Sequence, residues 1–342
     1  MARNSAPLIV ALACAGVPAS AAQGEPLRRM VAEEPHVGVI ARIEAYVPRN
    51  INPAHLFRAA FDRIATLERT FSSYRDDSEV RRVEQLAWRE PISISAQLST
   101  VLGHALAVAS ASGGAFDPTV GSMTRLLHRN GTLQAPRDMA AMAAARSLTG
   151  WQAVEHNASA QTVFLRRRGV QLDFGGIAKG YIADEALRVL EQAGVARAMV
   201  SIAGDIATGE PPPAQTGWRV GLDAVGTRGE IERHLLLRNQ AVSTSGSRER
   251  FYEADGRRCS HILGRSEDPC ADAGLAVSVV APTGMEADAL ATALVAMGPE
   301  EGTNLLKGLP GVRAYWARAA ATTTSAVRGS DAPPRAIAAP QR

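Results

Sequence analysis

Cysteine, aromatic residues and an excess of either charge are all scarce in this 342-residue chain. Its three cysteines exclude a disulfide-rich scaffold and a four-thiolate zinc centre. Aromatics at 5% leave little stacking surface, and 37 basic against 34 acidic residues, a net +3, are too balanced to drive nucleic-acid binding by phosphate neutralisation. No apolar run approaches the ~20 residues that a membrane-spanning helix needs. Gly-x-Gly-x-x-Gly, the Walker P-loop and Gly-x-Ser-x-Gly are missing too, which argues against a standard dinucleotide dehydrogenase, a kinase or a hydrolase with a nucleophile elbow. What remains is 46% hydrophobic and 21% charged, with 30 glycines, a globular composition able to bury one large core or two ordinary ones.

The start of the chain, Met1-Ala2-Arg3-Asn4, an apolar run from Ala6 to about Ala15 and the small residues Ala19-Ser20-Ala21, reads as a secretory signal peptide over residues 1–21. Cys14 after Leu12-Ala13 raises the alternative of a lipid anchor at the inner membrane. Leu is usual three positions before such a cysteine, where Ala11 stands, so simple cleavage into the periplasm is favoured. From Ala317 onward, Pro, Ser, Thr and Ala in bulk, without apolar periodicity, read as a disordered tail over residues 317–342. No repeat or long linker interrupts residues 22–316, which are expected to form one composite domain.

Within that domain, alternation predicts a strand over Val37 to Val47, and helical spacing of Leu56, Phe57, Ala60, Phe61, Ile64 and Leu67 predicts a helix from Pro53 to Phe71. Ser78 and Ser95 are expected to cap helices ending at Leu86 and Ala111, and Met139 to Leu148 is an alanine-rich helix. A hairpin of Gln161 to Arg166 with Val170 to Phe174 is expected before a helix from Ile177 to Gln192. Strands follow at Ala198 to Ile202, Trp218 to Leu222, Leu235 to Val242, Phe251 to Ala254, Arg258 to Leu263 and Leu275 to Val280, with a tight turn at Asp255-Gly256. Thr283 with Glu286 forms a capping box for a helix to Met297, and Val312 to Trp316 is a closing strand. Hairpins mixed with helices, without regular βαβ alternation, imply an α+β fold: a mixed, largely antiparallel sheet with packed helices.

Four glycine-punctuated segments are placed where strands give way to turns or helices: Gly113 to Gly121, Leu172 to Tyr181, Ser201 to Ile206 and Ser243 to Gly246. Glycines let backbone N–H groups approach a ligand, and a helix starting after Gly176 would aim its positive end at an anion, with Lys179 adding a charge in the first turn. Each segment alone reads equally well as an ordinary turn. On the last helix, Asp288 and Thr292 lie four apart on an otherwise apolar face. Hard oxygen ligands of this kind suit Mg2+, although the pair alone reads more readily as a local cap with Thr292 bonding back to a carbonyl. His261 could act as a general base, or be a structural histidine. With Cys14 lost, Cys259 and Cys270 remain; a disulfide closing the loop after His261 is expected, with two separate thiols as the alternative.

Taken in order, Phe71-Ser72-Ser73-Tyr74 with Ser78-Glu79-Val80, GGAFDPTVG, LDFGGIAKGY with Asp184, AGDI, STSG, SHI and ADALATAL with Met297-Gly298 resemble the ApbE family of FAD:protein FMN transferases over Val37 to Trp316. The resemblance implies an exported enzyme that cleaves FAD with Mg2+, attaches FMN through a phosphoester to a threonine of an acceptor flavoprotein subunit, and releases AMP. FAD-holding positions would be Tyr74, Ala115, Phe116, Asp117, Asp173, Lys179, Ser245 and Ile262. The metal would be held by Gly176, Asp288 and Thr292, which reverses the local reading of that helix face, and His261 and Lys179 would be catalytic. Two segments depart from the family pattern. Ala203-Gly204-Asp205 replaces Gly-Gly-Asp, and the Asp-Pro that usually follows His-Ile-Ile is displaced to Asp268-Pro269. That altered loop keeps two alternatives in view: a Mg2+-dependent FAD pyrophosphatase, and a flavin-binding protein without turnover.

Overall fold

The computed structural model describes residues 26–36, 38–129, 132–223, 231–246, 251–254, 257–263, 274–318 and 328–329. An antiparallel pair, β1 (Arg28–His36) and β2 (Val39–Val47), leads into α1 (Pro53–Phe71) and α2 (Glu79–Leu86). The short β3 (Ile92–Ser93) precedes α3 (Ala96–Ala111), α4 (Gly121–Leu127), the small pair β4 (His128–Arg129) and β5 (Thr132–Leu133), and α5 (Met139–Ser147). Next come β6 (Val154–Asn157), β7 (Thr162–Leu165), α6 (Ala178–Gln192), β8 (Ala198–Ile202), β9 (Asp205–Thr208), β10 (Trp218–Asp223), β11 (Ile231–Leu237) and β12 (Gln240–Gly246). The chain continues through β13 (Phe251–Ala254), β14 (Arg257–Ser260), β15 (Leu275–Ala281), α7 (Gly284–Leu306), β16 (Arg313–Arg318) and β17 (Arg328–Gly329).

Among the described residues, eight strands form the main sheet in the order β1-β2-β8-β9-β12-β15-β16-β17, every neighbouring pair antiparallel. The α+β expectation is therefore met. Helices α1, α6 and α7 pack together, and their apolar stripes (Ile64, Ile182, Leu290, Leu294) share one core with Ile43, Val200, Val277 and Val279 of the sheet. The β10–β11 pair supplies Val220, Leu235 and Leu237 to a second cluster with Val242, Val280 and Tyr315. Covered on both faces, β15 is buried along its whole length, which explains its unbroken apolar sequence. A satellite cluster joins Met123, Leu127 and Met142 of α4 and α5 to Tyr252, Cys259 and Leu263 around the β13–β14 hairpin.

The helix starts follow the sequence closely, because their caps are local: Asn52, Ser78, Ser95 and Thr283 each accept a backbone N–H of the first turn. The strands depart further from the expected bounds. β1 is an edge strand rich in Arg and Glu, a composition that protects an open edge and hides the strand in the sequence. β9 begins inside the AGDI motif, reached through a two-residue turn in which Ala203 (φ 52) and Gly204 (φ 92) are both left-handed, as in a type I′ hairpin. A glycine would adopt the first of these positions with less strain than Ala203 does. Leu235 to Val242 is two strands, broken at Asn239, which also takes positive φ.

Four further expectations are corrected. β7 does not pair with Val170 to Phe174 but lies between β6 and β3. The backbone of residues 170–174 is engaged elsewhere: Leu172 N–H on Glu84, Asp173 N–H on the Pro118 carbonyl, and the Gln171 carbonyl on Gly121 N–H. Ser243 to Gly246 belongs to β12 and is no turn. α7 continues beyond Met297, resuming after a break at Gly298, where φ is 76°. β16 reaches Arg318, past the expected boundary at Trp316, and pairs with Arg328–Gly329. Residues 1–21 and Asp255-Gly256 lie outside the described residues.

Candidate active site

α6 and α7 touch through two facing glycines. A Cβ on Gly180 would stand 1.9 Å from the Gly284 carbonyl oxygen, and one on Gly284 would stand 2.5 Å from the Gly180 oxygen. This close approach brings the Asp288 carboxylate of α7 onto the Gly180 N–H at 3.1 Å. Asp184, one turn further along α6, accepts the Gly284 and Met285 N–H groups at 2.7 and 2.9 Å and so caps α7 from outside its own chain segment.

Lys179 lies at the centre of the resulting cluster. Its ammonium donates to the Gly175 carbonyl at 2.9 Å and to Asp288 at 3.1 and 3.2 Å, and it pairs with Asp205 at 3.1 Å. Burial works against that charge, but Asp205 and Asp288 outweigh it and push the Lys179 pKa above its ordinary value. Burial, reinforced by neighbouring Asp205, raises the Asp288 carboxyl above its ordinary value against the pull of Lys179. Beside the carboxylate, Thr292 Oγ1 is 3.2 Å from Ser245 Oγ and so close to Gly176 that a Cβ there would come within 2.8 Å of it. One buried carboxylate, a hydroxyl and glycine backbone make a small, hard donor set. It suits Mg2+, which keeps most positions for water or phosphate oxygens; among the described residues no group of three His, Cys, Asp or Glu could form a denser metal cage.

Gly175 links this cluster to a second one. Its N–H donates to Asp173 at 2.7 Å, and the other Asp173 oxygen accepts from Thr124 Oγ1 at 2.8 Å. The Asp173 N–H in turn reaches Pro118, in the loop of Ala115, Phe116 and Asp117. Ala115 and Phe116 are buried, the ring of Phe116 in the main core, so this turn offers a ligand its backbone more than its side chains. Asp117 is occupied in shaping the loop: it accepts the Thr119 N–H and hydroxyl and the Trp151 N–H, and burial raises its pKa. Tyr74, 69% exposed, stands edge-on to His128 beside this region. Glu84, buried on α2, ties the pieces together by accepting from Arg81 at 2.7 Å, Arg125 at 2.8 Å and Leu172 N–H at 2.8 Å, while Arg125 also holds the Ser73 carbonyl.

The structure thus joins Gly176, Lys179, Ser245, Asp288 and Thr292 in one cluster and Asp117 and Asp173 in an adjoining one. His261, half-buried, follows the end of β14; Ile262 enters the main core and Leu263 the satellite cluster, so the segment is anchored on both sides. Cys259 is buried and disulfide-bonded, whereas Cys270 and Asp268-Pro269 lie outside the described residues. Sequence reasoning gave no role to Asp205, Ser243, Glu84 or Arg125. For Asp205 a signal was available, a carboxylate directly after a glycine turn between apolar strand residues.

Asp184 makes the helix contact sensitive to pH. Burial raises its carboxyl to about 6, above the ordinary 3.8. The folded state therefore holds the proton more tightly, and the stability contributed by this group is full below about pH 4 and lost as pH rises through about 6. In thermal unfolding from pH 4 to pH 7, the margin of the unsubstituted protein over Asp184→Asn is expected to shrink as pH rises. A margin constant over that range would exclude Asp184 as the titrating group.

A family model described as the ApbE family matches residues 37–316 of this chain. The FAD:protein FMN transferase of Treponema pallidum is 33% identical over 321 residues, covering 86% of this chain and 88% of the relative. One from Klebsiella pneumoniae is 30% identical over 250 residues, 70% of each chain. Among solved structures, the flavinyl transferase ApbE of Pseudomonas stutzeri, apo form, superposes with a TM-score of 0.78 at 26% identity over 89% of this chain and 95% of that one. Flavin transferase ApbE from Vibrio cholerae gives 0.79 at 24% identity over 90% and 98%, a likeness of fold.

Proposed function

The chain belongs to the ApbE family, and from that premise we propose that it is a Mg2+-dependent FAD:protein FMN transferase that attaches FMN to a threonine of an acceptor protein and releases AMP. The observation that carries the reading is the buried cluster in which Lys179, Asp288 and Thr292 meet at the start of α6. Mg2+ held by Asp288, Thr292 and the Gly176 backbone would offset charge on the FAD diphosphate. Lys179 adds a second positive charge there, and the positive end of the α6 dipole favours the same anion. Asp173, Asp117 and the backbone of their two loops shape the adjoining flavin side, with Tyr74 as its exposed aromatic.

In the transfer step, the acceptor threonine oxygen attacks the phosphorus of the FMN half and a new P–O bond forms. The bond from that phosphorus to the bridging oxygen breaks, AMP leaves with the electron pair, and His261 takes the hydroxyl proton. Export to the periplasm is supported by the signal-like residues 1–21, with a lipid anchor at Cys14 as the alternative. Among the described residues, no helix is long and apolar enough to cross a membrane.

Incubation with FAD, Mg2+ and a flavinylation-competent acceptor tests the proposal. In-gel flavin fluorescence on the acceptor together with AMP is the expected result. AMP with free FMN and an unlabelled acceptor would identify a pyrophosphatase instead, and bound FAD without AMP a flavin-binding protein.

A further inference from the structure

Lys179 has three N–H protons, and each has a partner: the Gly175 carbonyl, Asp288 and Asp205. Asp205 and Asp288 are 3% and 1% exposed, so one ammonium is shared by two carboxylates out of reach of bulk water. Asp205 is itself tethered, because its other oxygen accepts the hydroxyl of buried Ser243 on β12. A cation cannot use the Asp288 oxygens while Lys179 holds them, and an ammonium pushed away from a divalent ion would leave the site unless a second anion retained it.

Resting on the metal reading above, we infer that Asp205, fixed by Ser243, is the positioning residue that retains Lys179 in the site when a cation takes Asp288. The ammonium then keeps its bonds to Asp205 and Gly175, and the N–H released from Asp288 is free to meet a phosphate oxygen. Lys179 passes from partner of the metal ligand to donor toward the substrate, and Asp205 makes the exchange affordable. With both carboxylates ionised, the three groups carry one negative charge in excess, which favours a cation before any FAD is present.

The test is Mn2+ binding, measured by calorimetry without FAD, for the unsubstituted chain, Asp288→Ala and Asp205→Asn. Asparagine keeps an acceptor for the Ser243 hydroxyl but removes the charge. Asp205→Asn is expected to weaken Mn2+ binding by at least about tenfold while its unfolding temperature stays close to that of the parent. A variant that binds Mn2+ as tightly as the parent overturns the inference while leaving the metal site standing, provided Asp288→Ala has lost binding. If the parent binds no Mn2+, or Asp288→Ala binds as well as the parent, the metal reading itself fails and the inference falls with it. Should Asp205→Asn not fold, Ser243→Ala unties the carboxylate without changing its charge; affinity then drops severalfold, and unchanged affinity overturns the inference equally.

Discussion

Replacing Asp288 by alanine is expected to abolish AMP release from FAD, lowering turnover at least about 1,000-fold. Asp288 is the buried carboxylate in the proposed metal set, and Asp205, the other acid of the cluster, is engaged by Ser243 and Lys179. Its removal also takes an acceptor from the Gly180 N–H and leaves Lys179 with Asp205 and the Gly175 carbonyl. Asp288→Asn separates these effects, since it keeps an oxygen for Gly180 and removes only the charge. Both variants should lose AMP release, but the asparagine should retain more of the parent's thermal stability. Undiminished turnover in either would remove Asp288 from the metal site.

Gly180→Ala is expected to destabilise the fold by at least about 3 kcal/mol, read from the urea midpoint. The added methyl would meet backbone, the Gly284 carbonyl at 1.9 Å, and backbone in a helix cannot turn aside as a side chain can. Relief requires α6 and α7 to separate, and separation breaks the Gly180 bond to Asp288 and both bonds from α7 to Asp184. The control is Gly308→Ala, where the nearest atom is the Leu305 carbonyl oxygen at 3.7 Å and an alanine should be accommodated within about 0.5 kcal/mol. Equal stability of the two variants would mean that the helix contact is looser than the structure shows.

What could be read from the sequence was what local chemistry decides. Asn52 before Pro53, the serines at 78 and 95, and Thr283 three residues before Glu286 each announce a helix start within one turn, and the apolar spacing of α1 names its buried face. The glycine segments around Gly176 pointed to ligand chemistry for the same reason, whereas the Asp288/Thr292 pair, which alone reads more readily as a local cap, took its metal role from the family resemblance. What could not be read depends on partners far along the chain. Asp205 matters because Ser243 and Lys179 meet it, and Glu84 because Arg125 and Leu172 do; no spacing rule connects such residues. Residues 170–174 have a strand-like sequence, yet their hydrogen bonds are taken by Glu84, Pro118 and Gly121. β1 was hidden by the charges that an edge requires.

The strand order of the main sheet also sets a schedule for folding. Ala41 of β2 lies opposite Ile202 of β8, so the sheet cannot close until α1 through α6 have been made and brought back to its edge. Contacts so distant in sequence demand a large loop closure before they repay it, and proteins built on them fold slowly. Lys179, Asp205, Ser243 and Asp288 come from α6, β9, β12 and α7, so the cluster needs a further closure over residues 178–306. Until then each charge remains hydrated, and a newly made chain lacks the assembled cluster on which the proposed cation binding depends.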